Sequence, residues 1–422
     1  MDMTHSREEL VSRFLKYISI DSQSDARSTV LPSSPGQYVL ARMLAAELRE
    51  LRLEAVILDD NAIVTALKRG NRPSAPKIGF IAHLDTADIG LSPVVRPQIF
   101  HFEGRDLCLN PDLNIWLRVS DHPELKRWTG SDVIVGDGTS VLGADNKAAI
   151  AVIMTLLSRL SHDDGHGDIM VAFVPDEEIG LRGARALDLA RFDCDIAYTI
   201  DCCGQGDVVL ETFNAASCDI SFTGVSAHPM SAKDVMVNPL TMAADFMGYF
   251  DRNETPEHSS GRDGFFWFKD IEANDTLGKM TCLIRDFDED GFDRRKRFVD
   301  NIGRLIQSRY PKGEVEVTIN DTYRNIAAGL PADARASRFL LDAVGALGIE
   351  PRCVAMRGGT DGAVLTARGI PTPNFFTGAH NFHSRYEFLP IPAFEKSLQV
   401  AAKICELAVS DRIHEGVRYA TT

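Results

Sequence analysis

Apolar positions along this chain follow two rhythms. Between residues 6 and 17, Leu10, Phe14 and Tyr17 share one helical face, and after a break at 32–36 Leu40, Leu44, Leu48 and Leu51 do the same. Short apolar runs at 55–58 and 63–67 predict strands. Residues 78–82, 169–174 and 196–200 are apolar almost throughout, the pattern of strands covered on both faces. Residues 150–160 predict a helix. Strands alternating with helices in this way predict an α/β fold on a mixed, largely parallel sheet.

The pattern changes near Asn214. Residues 218–223 alternate apolar and polar, as in a strand with one solvated face. A helix is expected from Asn238-Pro239 to residue 250, a strand at 280–285, a charged amphipathic helix at 293–310 and an alternating strand at 315–320. Together these outline a small two-layer α+β module. The α/β pattern returns with a helix at 334–347, a turn at 357–362, a strand near 374–376 and a closing helix at 392–409. A module inserted into a larger domain explains this order, with boundaries at 1–213, 214–326 and 327–422.

Length and charge narrow the function. A chain of 422 residues exceeds what one core usually supports. Lys plus Arg number 45 against 60 Asp plus Glu, a formal net charge of −15, which argues against a nucleic-acid partner needing a basic face. The first fifteen residues lack a basic start followed by an apolar stretch, and no apolar run approaches bilayer length. Apart from Cys202-Cys203 the eight cysteines are scattered and form no CxxC pair, the usage of a reducing compartment. The expectation is a cytoplasmic protein with no membrane association.

Polar chemistry clusters where apolar strands end. His83 and Asp85, two apart, project together from the end of the 78–82 strand; taken alone the pair is more often a polar loop after a strand, and the competing reading puts His83 on a metal with Asp85 orienting its ring. Asp145 opens the long helix, where a plain N-cap competes with a metal-bridging role. Asp176, Glu177 and Glu178 follow Val174-Pro175. An acidic cluster is more often a solvated loop or the first turn of a helix, but this one ends a buried strand, and the competing reading divides labour, Glu178 on a metal and Glu177 on water as general base. Asp201 ends the 196–200 strand. His380 and His383 compete for one further ligand position. His162 and His166 read as a solvated loop, and Cys202-Cys203 as small buried residues.

At this point the chain resembles the M20 metallopeptidases, and among them the tripeptide aminopeptidases. The residues that carry the likeness are HLDT, LGADNKAAIA, PDEEIG, YTID, GVSAHP, LIRDFD, RGGTDGA and FTGAHNFHSRYEF, supported by FLKYISIDSQS, FNAAS and AKDVMVNPL. The likeness runs almost from end to end. It implies a zinc-peptidase domain interrupted by a ferredoxin-like lid, a module of lid or dimerisation type that makes a homodimer one expectation. It also implies two Zn2+ ions per subunit, or another divalent ion in their place. Asp145 would bridge them, with His83 and Asp201 completing one site and Glu178 and His383 the other. His383 is preferred to His380 because it occupies the family's ligand place. Two divalent ions, three carboxylates and one hydroxide then sum to a neutral cluster that can be buried.

By the same resemblance His228 would hold the scissile carbonyl's oxyanion, Arg285 would grip a peptide's terminal carboxylate, and the Asp145–Asn146 peptide bond would be cis. From the residues alone, Arg285 beside Asp286 reads instead as a surface ion pair. The chain departs from the family at Asn146 and Ala149, where a second Asp and a Gly are common, and at Cys202-Cys203 in place of Gly-Gly. It also carries one extra residue within 178–183. The expected activity is release of the N-terminal residue from short peptides. The rivals are a dipeptidase, an acylamino-acid deacylase or a carboxypeptidase of the same fold, and a non-catalytic peptide binder.

Overall fold

The apolar segments that read as doubly covered strands lie side by side. In the computed structural model, which describes residues 6–161 and 164–410, the strands Ile169–Val174, Ile78–His83, Ile196–Cys202 and Asn374–Phe376 run parallel in that order. Val64–Lys68 and Glu54–Leu58 extend the sheet antiparallel on one side, and Asp207–Thr212 and Arg352–Met356 lie on the other. The fold is mixed α/β with a largely parallel central sheet. Parallel strands bring their carboxyl ends to one edge, so His83, Asp176–Glu178 and Asp201 emerge on the same side.

The helix predicted at 150–160 spans Ala144–Arg159 and is buried from Ala144 through Leu157. It packs between the sheet and the helices Ser6–Ile18 and Ile391–Ser410. Phe14 meets Phe394 edge to face at 5.6 Å between ring centres. A helix apolar on every side cannot lie on a surface, so its lack of amphipathic period follows from this sandwiched place.

The chain divides into two compact units: residues 1–210, 329–354 and 360–422 in one, and 211–328 with 355–359 in the other. The second has an antiparallel sheet in the order Phe265–Ala273, Leu277–Asp286, Asn214–Thr223, Glu314–Tyr323, with the helices Pro239–Met247 and Glu289–Arg309. Along the chain this is strand, helix, strand, strand, helix, strand, the split βαβ arrangement. Phe222, Phe246, Phe292, Ile302 and Ile306 belong to its separate core. Asn238 caps the first helix by accepting the Leu240 N–H at 2.9 Å, and Pro239 sits at its first turn.

The strand Phe265–Ala273 escapes the periodicity reading. It lies at the sheet edge with most of its outer half exposed, and a register shift between Phe268 and Asp270 breaks its two-residue repeat. The short segment 355–359 joins this unit because Phe213 N–H donates to the Met356 and Gly358 carbonyls, and the Arg357 guanidinium lies 5.2 Å from the Phe213 ring centre. No described helix is long and apolar enough to cross a membrane.

Candidate metal centre

His83 is the last residue of its strand and almost fully buried. Its Nδ1 lies 3.0 Å from the Asp85 carbonyl oxygen and 3.3 Å from Asp85 Oδ1. Two acceptors at Nδ1 place the ring hydrogen there and aim Nε2 at Asp145 Oδ1, 3.0 Å away. The other oxygen, Asp145 Oδ2, lies 3.0 Å from His383 Nε2. His383 Nε2 is also 2.9 Å from Glu178 Oε1, while His83 Nε2 is 4.0 Å from Asp201 Oδ1. One carboxylate thus faces two imidazoles, each with a further carboxylate beside it. Ligand atoms of His83, Asp145 and Glu178 all lie within 4.8 Å of one another.

Asp145 is not a plain helix cap. Gly143 occupies the cap position with φ at 77°, Asp145 and Asn146 have non-helical dihedrals, and the peptide bond between them is cis, as the resemblance implies. Beneath this turn, Glu387 Oε2 accepts the Leu142 and Gly143 N–H groups at 2.7 and 2.8 Å, and its Oε1 accepts that of Asp145 at 3.1 Å.

The acidic triplet splits three ways. Asp176 turns away, its carboxylate accepting the Ser33 N–H at 2.9 Å and Gln37 Nε2 at 2.6 Å. The N–H groups of Glu177 and Glu178 donate to the Asp85 carboxylate at 3.0 and 3.2 Å. Asp201 is tied to the neighbouring strand by Asn374 Oδ1, which accepts its N–H at 2.7 Å.

The electrostatics of the cluster are those of a cation site. Burial pushes the Glu178 carboxyl up, and the Asp145 charge adds to it. Burial and the Asp145 charge likewise raise Asp201 well above the ordinary range. Glu177 is raised strongly, by burial first; His83 opposes this, and Asp201, Glu178 and Asp361 reinforce it. For Asp145 burial is outweighed by the contacts with the His383 and His83 imidazoles, which hold it low. Hydrogen bonds to Asp145 and Glu178 pull the His383 imidazole up to about 11. Several buried carboxylates that cannot all ionise without extra positive charge, with imidazole nitrogens aimed among them, fit divalent ions as a donor set.

His380 lies elsewhere. Its ring stacks on Phe388 at 4.8 Å, its Nε2 has no hydrogen-bond partner, and burial lowers its pKa to about 4. His166 is buried with Nδ1 2.8 Å from the Gly167 carbonyl, which corrects its reading as a solvated loop. Its carbonyl accepts the Asn71 and Arg72 N–H groups, so the segment is pinned against another loop. His162 lies outside the described residues. Cys202 is buried and Cys203 half-buried, and burial pushes the Cys203 thiol up to about 12.

His228 and Arg285 belong to the second unit. His228 is exposed and its Nδ1 accepts the Met230 N–H at 3.2 Å. Arg285 Nη1 donates to the Ile284 carbonyl at 2.9 Å and to that of Ala216 at 3.3 Å, with the guanidinium 5.5 Å from the Tyr323 ring centre. Asp286 pairs with Arg295 at 3.0 Å, so the ion pair read between the neighbours Arg285 and Asp286 does not form.

Sequence alone assigns no role to Asn146, Glu387 or Asp361, although each stands inside one of the family-like motifs. Asp361 is buried with one carboxylate oxygen unpartnered, and burial raises its pKa to about 7. Only their neighbours in space distinguish these residues.

A family profile described as Peptidase family M20/M25/M40 matches residues 133–407. The chain is 66% identical over 405 residues to a peptidase T-like protein of Rhizobium meliloti, covering 96% of this chain and 99% of the relative. It is 42% identical over 403 residues to peptidase T of Caldanaerobacter subterraneus, covering 94% and 98% respectively. The crystal structure of aminopeptidase PepT from Bacillus cereus superposes with a TM-score of 0.73 at 22% identity, covering 96% of this chain and 99% of that one.

Proposed function

The chain belongs to peptidase family M20/M25/M40, and from that membership we propose that it is a two-metal aminopeptidase releasing the N-terminal residue of short peptides, tripeptides above all. The observation that carries the two-metal reading is Asp145, whose two oxygens each lie 3.0 Å from a different imidazole. His83, Asp145 and Asp201 would hold one divalent ion, and Asp145, Glu178 and His383 the other. Zinc suits this set of nitrogen and carboxylate ligands.

Two divalent ions supply Lewis acidity: a more acidic water and a polarised carbonyl. The protein's own groups do the rest. Asp85 keeps the hydrogen of His83 on Nδ1 and braces the turn that carries Glu177. The Glu177 carboxylate takes a proton from the attacking water and returns it to the leaving amine. His228 would donate to the oxyanion and Arg285 would bind the peptide's terminal carboxylate, as a forked guanidinium can.

The test is hydrolysis of free and N-blocked di-, tri- and tetrapeptides with added zinc, manganese or cobalt. Release of the first residue from free tripeptides, lost on N-blocking, is expected. Preferential cleavage of N-acylated substrates, or of the last residue, would move the protein to a deacylase or a carboxypeptidase.

A further inference from the structure

Asn146 is fully buried, and both ends of its carboxamide are used. Nδ2 donates to the Ile200 carbonyl at 2.8 Å and to Asp201 Oδ1 at 3.1 Å, while Oδ1 accepts the His83 N–H at 3.4 Å. These partners sit on two adjacent strands. The ladder between Ile78–His83 and Ile196–Cys202 pairs Ile78 with Ile196 and ends where Ile81 pairs with Thr199. Beyond that point the strands part, and the Asn146 side chain bridges them as a backbone amide would.

We propose that Asn146 is a positioning residue that orients the Asp201 carboxylate and fixes its distance from His83. The argument rests on the two-metal reading above. Asp201 Oδ1, which accepts the Asn146 N–H, is also the oxygen 4.0 Å from His83 Nε2, so the amide sets the orientation of the carboxylate relative to that imidazole. Both groups facing Nδ2 are acceptors, and in this chain the amide supplies the donor between them. Removing it frees the Asp201 carboxylate to rotate and releases the His83 strand end. The half of the centre built on Glu178 and His383 makes no hydrogen bond to Asn146. Loss of the amide therefore weakens one ion and spares the other. Groups that orient a metal ligand typically alter affinity by about 10–100-fold.

The experiment compares the wild type with Asn146→Leu, which keeps the branched shape but neither donor nor acceptor, and Asn146→Ser, which is polar but too short to reach Asp201. Zn2+ and Co2+ binding to metal-stripped protein are followed by native mass spectrometry and chelator competition. Asp201→Asn marks which ion belongs to Asp201. The expected result is two ions in the wild type and, in both variants, tenfold or greater weakening confined to the ion marked by Asp201→Asn. The double variant should show no further loss, as for residues acting through one another. Unchanged affinities, equal weakening of both ions, or failure of both variants to fold would overturn the assignment. Fewer than two ions on the wild type would instead take down the two-metal reading, and this inference with it.

Discussion

The Asp85 carboxylate accepts the backbone N–H of Glu177 at 3.0 Å. The same side chain receives the N–H of Glu178 at 3.2 Å, while the carbonyl of Asp85 faces His83 Nδ1 at 3.0 Å. One buried residue therefore couples the imidazole on one strand to the acidic turn on the next. Asp85→Ala leaves the buried Glu177 N–H and the half-buried Glu178 N–H without this acceptor, the buried one costing about 1–3 kcal/mol. The expected outcome is lower metal occupancy and activity reduced about 10–100-fold, with Asp85→Asn less affected because its amide oxygen still accepts. Metal analysis alongside kcat/KM checks this; wild-type values in Asp85→Ala would show the brace to be dispensable.

Replacing Glu177 by Gln should lower kcat by about 10²–10⁴-fold with metal content unchanged, since a proton acceptor outside the ligand set moves protons without binding cations. Elemental analysis of the purified variant decides the point. Loss of metal together with activity would make Glu177 a ligand.

Arg285→Ala should raise KM for free tripeptides by about tenfold and leave C-terminally amidated ones nearly untouched, because the proposed partner of the guanidinium is the substrate carboxylate. Among the described residues Arg285 has no carboxylate partner, so the substitution breaks no ion pair. Steady-state kinetics on matched acid and amide peptides make the comparison. Equal losses on both would refute the role.

His380 is held neutral: burial lowers its pKa to about 4 from an ordinary 6.5, with Arg127 and Arg352 acting in the same direction and Glu124 against. Between those values the unfolded chain binds the proton that the folded chain refuses. Stability should therefore fall as pH drops from about 6.5 to 4, by at most about 3 kcal/mol from this group. His380→Gln cannot protonate there, so its unfolding free energy should change less over the window than the wild type's. Denaturant titrations at pH 7 and 4.5 measure both slopes, and parallel slopes would contradict the assignment.

Much of this centre is legible in local pattern. A strand buried on both faces is an apolar run, and the polar residues that follow it mark the strand's end, so His83, the triplet Asp176–Glu178 and Asp201 stand out without any knowledge of contacts, although only contacts show that Asp176 turns away. Charge, composition and the family-like motifs extend that to a family and to the ligand set proposed above. Periodicity fails where geometry departs from a regular repeat: at Phe265–Ala273, whose bulge scrambles the alternation, and at His166, whose burial comes from a loop far away in sequence.

Local spacing cannot say which polar residue meets which. Glu387 reaches the backbone of residues 142–145 across more than two hundred positions, and Asp176 finds Ser33 and Gln37 across about 140. Asn146 looks like a neutral neighbour of Asp145 until its amide is seen spanning two strand ends. The amino-acid pattern determined which segments are buried and where chemistry surfaces, because burial and periodicity are properties of adjacent residues. Only the tertiary structure decided that Asp145 lies between two imidazoles and which side chains steady it, because hydrogen-bond partners are chosen in space by the packing of the strands.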